Sequence, residues 1–284
     1  MKQCKALFKK EWNTHGKAFL IPLWATGAVY AIALIGWIIS LIRGQGITSM
    51  MQMQGMPAGY EALTLYGTTA GVTALLGVVA MITAAILADS VINGGFKRRC
   101  EILHFSQPVS FLKIIGSKFL LISLAMIIFF GLLSLVNAVV VTLLGRLQLS
   151  AGFQYGMLGW LQTFVAMSVT ILFICSLAWF FAGLFKHKSF LMGLLVLLGI
   201  EVAIAVLNYT AGWHIPSLFA YLGELLTLQV EFDPETASAQ TPSIDQIINL
   251  GWDSILSGKT VVKLALSAVF TALGAWLYKN RELC

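Results

Sequence analysis

The side chains most able to do chemistry in this sequence are few and scattered, and each can be tested against the spacing its chemistry needs. Ser257-Gly258-Lys259-Thr260 looks like the end of a phosphate-binding loop. That loop requires G-x-x-x-x-G-K-[ST], so that a first glycine lets backbone N–H groups cradle phosphate oxygens. Asp253 occupies that glycine's place and would repel them, so no nucleotide site is expected in this chain. His15, His104, His187 and His214 lie far apart, and no H-E-x-x-H, G-x-S-x-G or C-x-x-C occurs. Such isolated histidines form neither a metal site nor an acid–base pair, and no catalytic residue and no metal ligand is assigned. Met50, Met51, Met53 and Met56 crowd one short segment. Thioethers suit Cu(I), but with no histidine or cysteine beside them an adaptable apolar contact surface is the expected role.

Glu201 stands apart. It lies within the apolar stretch Gly193–Leu207, about twelve residues into the run at 189–209, where a carboxylate costs at least ~2.5 kcal/mol on insertion scales and therefore faces a cavity or a partner. Two readings stay open: a cavity-lining carboxylate, or one that joins helices, with Asn137 or Gln162 as its partner.

The elements that carry these residues follow from composition. Of the 284 residues 58% are hydrophobic and 11% charged, against about 25% charged in soluble domains. Apolar runs of the ~20 residues needed to cross a bilayer occur near 18–42, 68–92, 117–144, 157–185, 189–209 and 260–278. An all-α integral membrane domain with six spanning helices, 1–284, is expected. The first run is too long for a cleavable signal and lacks a small-x-small site after it, so Met1 is expected to remain.

Basic residues set the orientation. Fourteen of the eighteen Lys and Arg flank the runs on alternate sides: five before the first, five between the second and third, Lys186 and Lys188, and Lys279 and Arg281. Only Arg43, Arg146, Lys259 and Lys263 fall on the other side. The positive-inside rule then puts both termini in the cytoplasm, in the cell (inner) membrane for a bacterial cell. The net charge of +6 reflects that topology, and no nucleic-acid partner is expected. Cys4, Cys100 and Cys284 fall on the same, reducing side, and no disulfide is expected.

Residues 1–16 read as an interfacial amphipathic helix, with Met1, Cys4, Phe8 and Trp12 on one face and Lys2, Lys5 and Lys9 on another. The 210–259 loop is external and carries two amphipathic stretches, Pro216–Leu228 and Ser243–Leu256, the second opening with a Ser243/Gln246 capping box. They are expected to lie on or dip into the outer leaflet, a small external domain being the alternative. Small residues one turn apart at Gly67–Gly71, Ala80–Ala84–Ala88 and Ser267–Thr271–Ala275 suit close helix packing.

The most charged segment between runs is Phe96–Ser110, within a cytoplasmic loop over 93–116. Residues 96–105 suit a short helix with Phe96, Arg99, Cys100 and Leu103 along one side and a Lys97–Glu101 pair on another. Pro108 ends it. The segment is either a handle for a soluble partner or a basic loop that only enforces topology.

The stretches "LFKKEW", "ADSVINGGFKRRCEILHFSQPVS" with "SK" at 117–118, and the terminal "NRE" resemble the permease subunits of type-2 ATP-binding-cassette transporters. Arg-Arg-x-x-x-Ile-Leu-x-Phe and Pro-Val-Ser carry the likeness, while Cys100-Glu101 and Gln107 depart from it. The resemblance implies a permease of an exporter that pairs with a second copy or paralogue and with two ATPase subunits, which hold the ATP and Mg. Phe96, Arg98, Arg99, Glu101, Leu103 and Pro108 would form the ATPase-coupling element, with the lipid bilayer as surroundings and no cofactor or enzymatic activity in this chain. The alternative is a non-transporting membrane scaffold or sensor that docks a cytoplasmic partner. A secondary transporter is less favoured, since no repeat with paired broken helices is found.

Overall fold

The computed structural model describes residues 2–42, 60–97, 110–146, 152–185, 188–226 and 243–282. All of its regular structure is helical: α1 (Lys2–His15), α2 (Leu20–Ile42), α3 (Tyr60–Lys97), α4 (Phe111–Leu120), α5 (Met126–Arg146), α6 (Phe153–Leu184), α7 (Ser189–Ala211), α8 (Leu218–Leu226), α9 (Ile244–Ile255) and α10 (Gly258–Glu282). A 3₁₀ turn, Gly16–Phe19, joins α1 to α2, and a widened π turn, Leu121–Ala125, joins α4 to α5. Six stretches are long and apolar enough to cross a membrane, one for each of the six apolar runs, and the chain is a multi-pass membrane protein on that ground.

The bundle is built around α6, which buries eighteen of its thirty-two residues. Helix α3 packs along one side of it and α10 along another. Where lipid supplies no hydrophobic drive, such contact depends on close backbone approach. Gly159 provides it, since a Cβ there would stand 2.5 Å from the Tyr66 carbonyl oxygen. Gly274 makes room for the Trp179 ring in the same way. The Ala80–Ala84–Ala88 stripe is fully buried in the core with Leu87, Ile92, Phe130 and Ile171. Among the described residues nothing lies within 4 Å of a Cβ placed at Gly67 or Gly71, so that pair makes no seam between the described helices.

Three boundaries differ from the expected ones. Helix α3 starts at Tyr60 rather than near 68, because Glu61-Ala62-Leu63 are good helix formers even where the sequence is not continuously apolar. It then runs on through Gly94, Gly95 and Phe96 to Lys97, so residues 93–97 extend the second span instead of opening a loop. Its 38 residues reach about 57 Å, well beyond a ~30 Å hydrocarbon core. The third span begins at Phe111, which puts Lys118 inside the bundle rather than in the loop.

Helix α7 is the least enclosed span. Only Ser189 and Gly193 of its twenty-three residues are buried.

Candidate functional site

Two polar constellations lie at different depths of the bundle. The first is organised by Glu201. One carboxylate oxygen accepts from Ser217 Oγ (2.6 Å), and the other from the amides of Leu218 (2.8 Å) and Phe219 (3.3 Å). These are the first N–H groups of α8, which the helix itself cannot satisfy, and a carboxylate there is favoured by the helix dipole. The Asn208 amide holds the turn before it, accepting from Ile215 N and donating to Ile215 O, both at 2.9 Å. Gly212, at φ +64°, allows the reversal after α7.

The depth of this clasp follows from the helix rise. Glu201 lies ten residues before Ala211, about 15 Å below the end of α7 at 1.5 Å per residue. Residues 212–217 therefore fold back along α7, and α8 starts level with Glu201, about 15 Å from that end. At its other end Glu224 pairs with Lys259 (3.8 Å) at the start of α10. The segment thus folds back along α7 and is held at both ends. Neither Asn137 nor Gln162, the candidate partners of the helix-joining reading, bonds Glu201. Asn137 accepts from the Tyr30 hydroxyl, joining α2 to α5. Gln162 accepts from the Tyr66 hydroxyl and donates to Ile248 O (2.8 Å), joining α3, α6 and α9. Glu201 does join elements, but its partner is the segment following its own helix.

Lys263 shares this half of the bundle. It is buried against α6 and donates to Thr170 Oγ1 at 3.3 Å. Such a cation inside a span is costly and marks a polar path or contact.

The second constellation lies where α1 meets the bundle. Trp12 stacks on Phe19 (5.0 Å), and Phe19 packs edge-on to Phe129 (5.9 Å), so the end of α1 is pinned to the third span. His15 Nδ1 lies 3.2 Å from Ser90 Oγ on α3 and packs with Glu11 at 3.7 Å. Helix α1 also packs against α4. It thus touches both helices that bracket residues 98–109. Arg98, Arg99, Glu101, Leu103 and Pro108 lie outside the described residues, as does the Met50–Met56 cluster; Phe96 is on the last turn of α3. Nearby, Lys118 donates to Tyr278 Oη (2.9 Å) and sits 5.1 Å from its ring centre. Asp89 accepts from the amide (3.2 Å) and hydroxyl of Ser189 and from Asn93 (2.7 Å), capping α7.

Sequence reading missed Asp89, Lys118, Lys263 and Ser217. Asp89 had one available signal, an Asn four residues on at the end of an apolar run. Lys118 resembled a loop lysine, and nothing in sequence ties it to Tyr278. Ser257 lies in the break between α9 and α10 and Gly258–Thr260 form the first turn of α10, with Thr260 N bonded to Ser257 O (3.0 Å) and a helix, not a strand, before them. Among the described residues no three His, Cys, Asp or Glu side chains come together as metal ligands. A scan of protein-family models and a search of curated proteins return no match.

Proposed function

We propose that the chain is the membrane-spanning permease subunit of an ATP-binding-cassette exporter, driven by separate ATPase subunits and paired with a second permease. The observation that carries this reading is the position of α1. It is clamped by Trp12–Phe19 and His15–Ser90 against the third span and α3, the two elements that lead into and out of residues 98–109. A soluble motor that grips 98–109 therefore pushes on α1 and both spans together, and the push reaches the α6 core through Lys118–Tyr278. The Arg98–Pro108 sequence, with its likeness to permease coupling loops, and the six-span bundle support the same reading.

Apolar anchors dominate docking interfaces, with truncations of about 2 kcal/mol or more at hot spots, whereas rim charges tune association. Leu103→Ala and Glu101→Arg are therefore expected to reduce co-purification of an ATP-binding-cassette ATPase partner, and its stimulated ATP hydrolysis, without reducing membrane insertion. Full binding and hydrolysis in both variants would move the docking role to α1. A partner that co-purifies without any ATPase activity would replace the exporter reading by the scaffold or sensor one.

A further inference from the structure

A groove of about 390 Å³ runs between α3 and α7, with Ile174 of α6 in its floor. Its wall on α3 is a single stripe, Val78, Met81, Ile82, Ala85, Ile86 and Asp89, spaced three or four residues apart over three turns. Eleven residues at 1.5 Å make it about 16 Å long, close to half of a ~30 Å hydrocarbon core. Ala85, nearly fully buried, is the small residue that leaves the hollow, while Ile82, Ile86 and Leu191 form exposed rims. Polar groups occur at one end only, where Asp89 and Lys188 meet at the start of α7.

The two charges at that end differ. The Asp89 carboxylate is tied to Ser189 and Asn93 and serves as the cap of α7. Lys188 is exposed, has no ion-pair partner among the described residues, and is held with left-handed backbone (φ 45°), which non-glycine residues rarely adopt. The groove thus offers a long apolar slot ending at an engaged carboxylate, Asp89, and an exposed cation, Lys188. Its volume falls in the range of small-ligand sites.

We infer that this groove is a binding site for one anionic phospholipid of the surrounding membrane, with an acyl chain along the α3 stripe and the headgroup phosphate at Lys188. The slot is parallel to a spanning helix, as an acyl chain in one leaflet is, and it is about one leaflet deep. A soluble apolar ligand would need no cation at the mouth, and a second protein chain would leave the slot at Ala85 unfilled unless it inserted a side chain there. The inference rests on the spanning helices and not on the coupling role.

The test is native mass spectrometry of the protein released from nanodiscs of equal parts palmitoyl-oleoyl phosphatidylcholine and phosphatidylglycerol. One lipid per chain should survive activation that strips the rest, enriched about fivefold in phosphatidylglycerol, the preference one lysine near a membrane surface supplies. Lys188→Asn removes the charge with a residue that tolerates left-handed backbone, and should return the retained lipid to the bulk ratio. Ile82→Trp, at an exposed rim, should block the slot and abolish retention. Uniform stripping from the wild type, or an enrichment that neither variant changes, overturns the proposal. So does efficient cross-linking of two chains through cysteines placed at Val78 and Leu191, which would give this face to a second copy.

Discussion

Lys118 and Tyr278, 160 positions apart, form a hydrogen bond of 2.9 Å that ties the start of the third span to the end of the sixth. Both side chains are buried, and Phe119 and Tyr278 each pack on the Trp179 ring, with centroids 5.6 and 6.4 Å away. Losing the hydroxyl removes an acceptor from a buried cation. Tyr278→Phe should destabilise the detergent-solubilised protein by about 1–2 kcal/mol, since bonds to charged groups are the stronger kind. Lys118→Met combined with Tyr278→Phe should recover part of that loss, because the buried cation that lost its acceptor is removed with it. Thermal midpoints of the four proteins form the cycle; strictly additive effects would show that the two residues are not coupled.

The Glu201 clasp should be visible in amide exchange. Glu201→Ala removes the acceptor for Leu218 N, Phe219 N and Ser217 Oγ together. Loss of an N-cap costs typically ~1 kcal/mol, roughly a fivefold change in the opening equilibrium. Exchange over 212–226 should rise by at least that factor, while exchange in α3 and α6 stays as it was. Glu201→Gln, which keeps an acceptor but not the charge, should fall between. Unchanged exchange in both variants would mean that α8 is held by its apolar contacts alone.

Gly159 offers a test of the α3–α6 seam. In an exposed helix Gly→Ala favours folding by up to about 1 kcal/mol. At Gly159 the new Cβ would press on the Tyr66 carbonyl, and the sign should reverse. Gly71→Ala, where a Cβ meets nothing, is the control and should be neutral or stabilising. A stabilised Gly159→Ala protein would show that α3 and α6 separate easily.

Sidedness is checked by reporters. The alternation of fourteen basic residues against four predicts that a reporter fused after Cys284 signals cytoplasm and that one inserted near Ala239 signals the outside. The reversed result would invert the direction assigned to every loop.

Much of the architecture was legible in sequence because spans announce themselves by run length and charge alternation. The Ser243/Gln246 capping box forms as its spacing requires, with each side chain bonding the other's backbone. Helix α1 also forms over nearly its predicted length. Ends were harder: Gly94 and Gly95 look like a break, yet buried Val91, Ile92 and Asn93 hold the helix in place just before them. Partners were harder still. Glu201 was recognisable as a residue needing donors, but the donors come from a segment that must first turn back at Gly212, and periodicity carries no information about such a reversal. The Arg98–Pro108 readings fall on residues outside those described, so their weight still rests on their sequence.

Helix α7 is fastened at one end. Asp89 grips Ser189, Gly193 nests against Phe181, and beyond that point no residue of α7 is buried. A rod clamped at its base and lightly held along its length behaves as a cantilever. A small rotation at Ser189 becomes a large sweep at Ala211, about 33 Å away. Because α8 is bound to α7 through Glu201 and Asn208, α8 travels with that sweep, and the Glu224–Lys259 contact to the neighbouring span is a tether that opposes it.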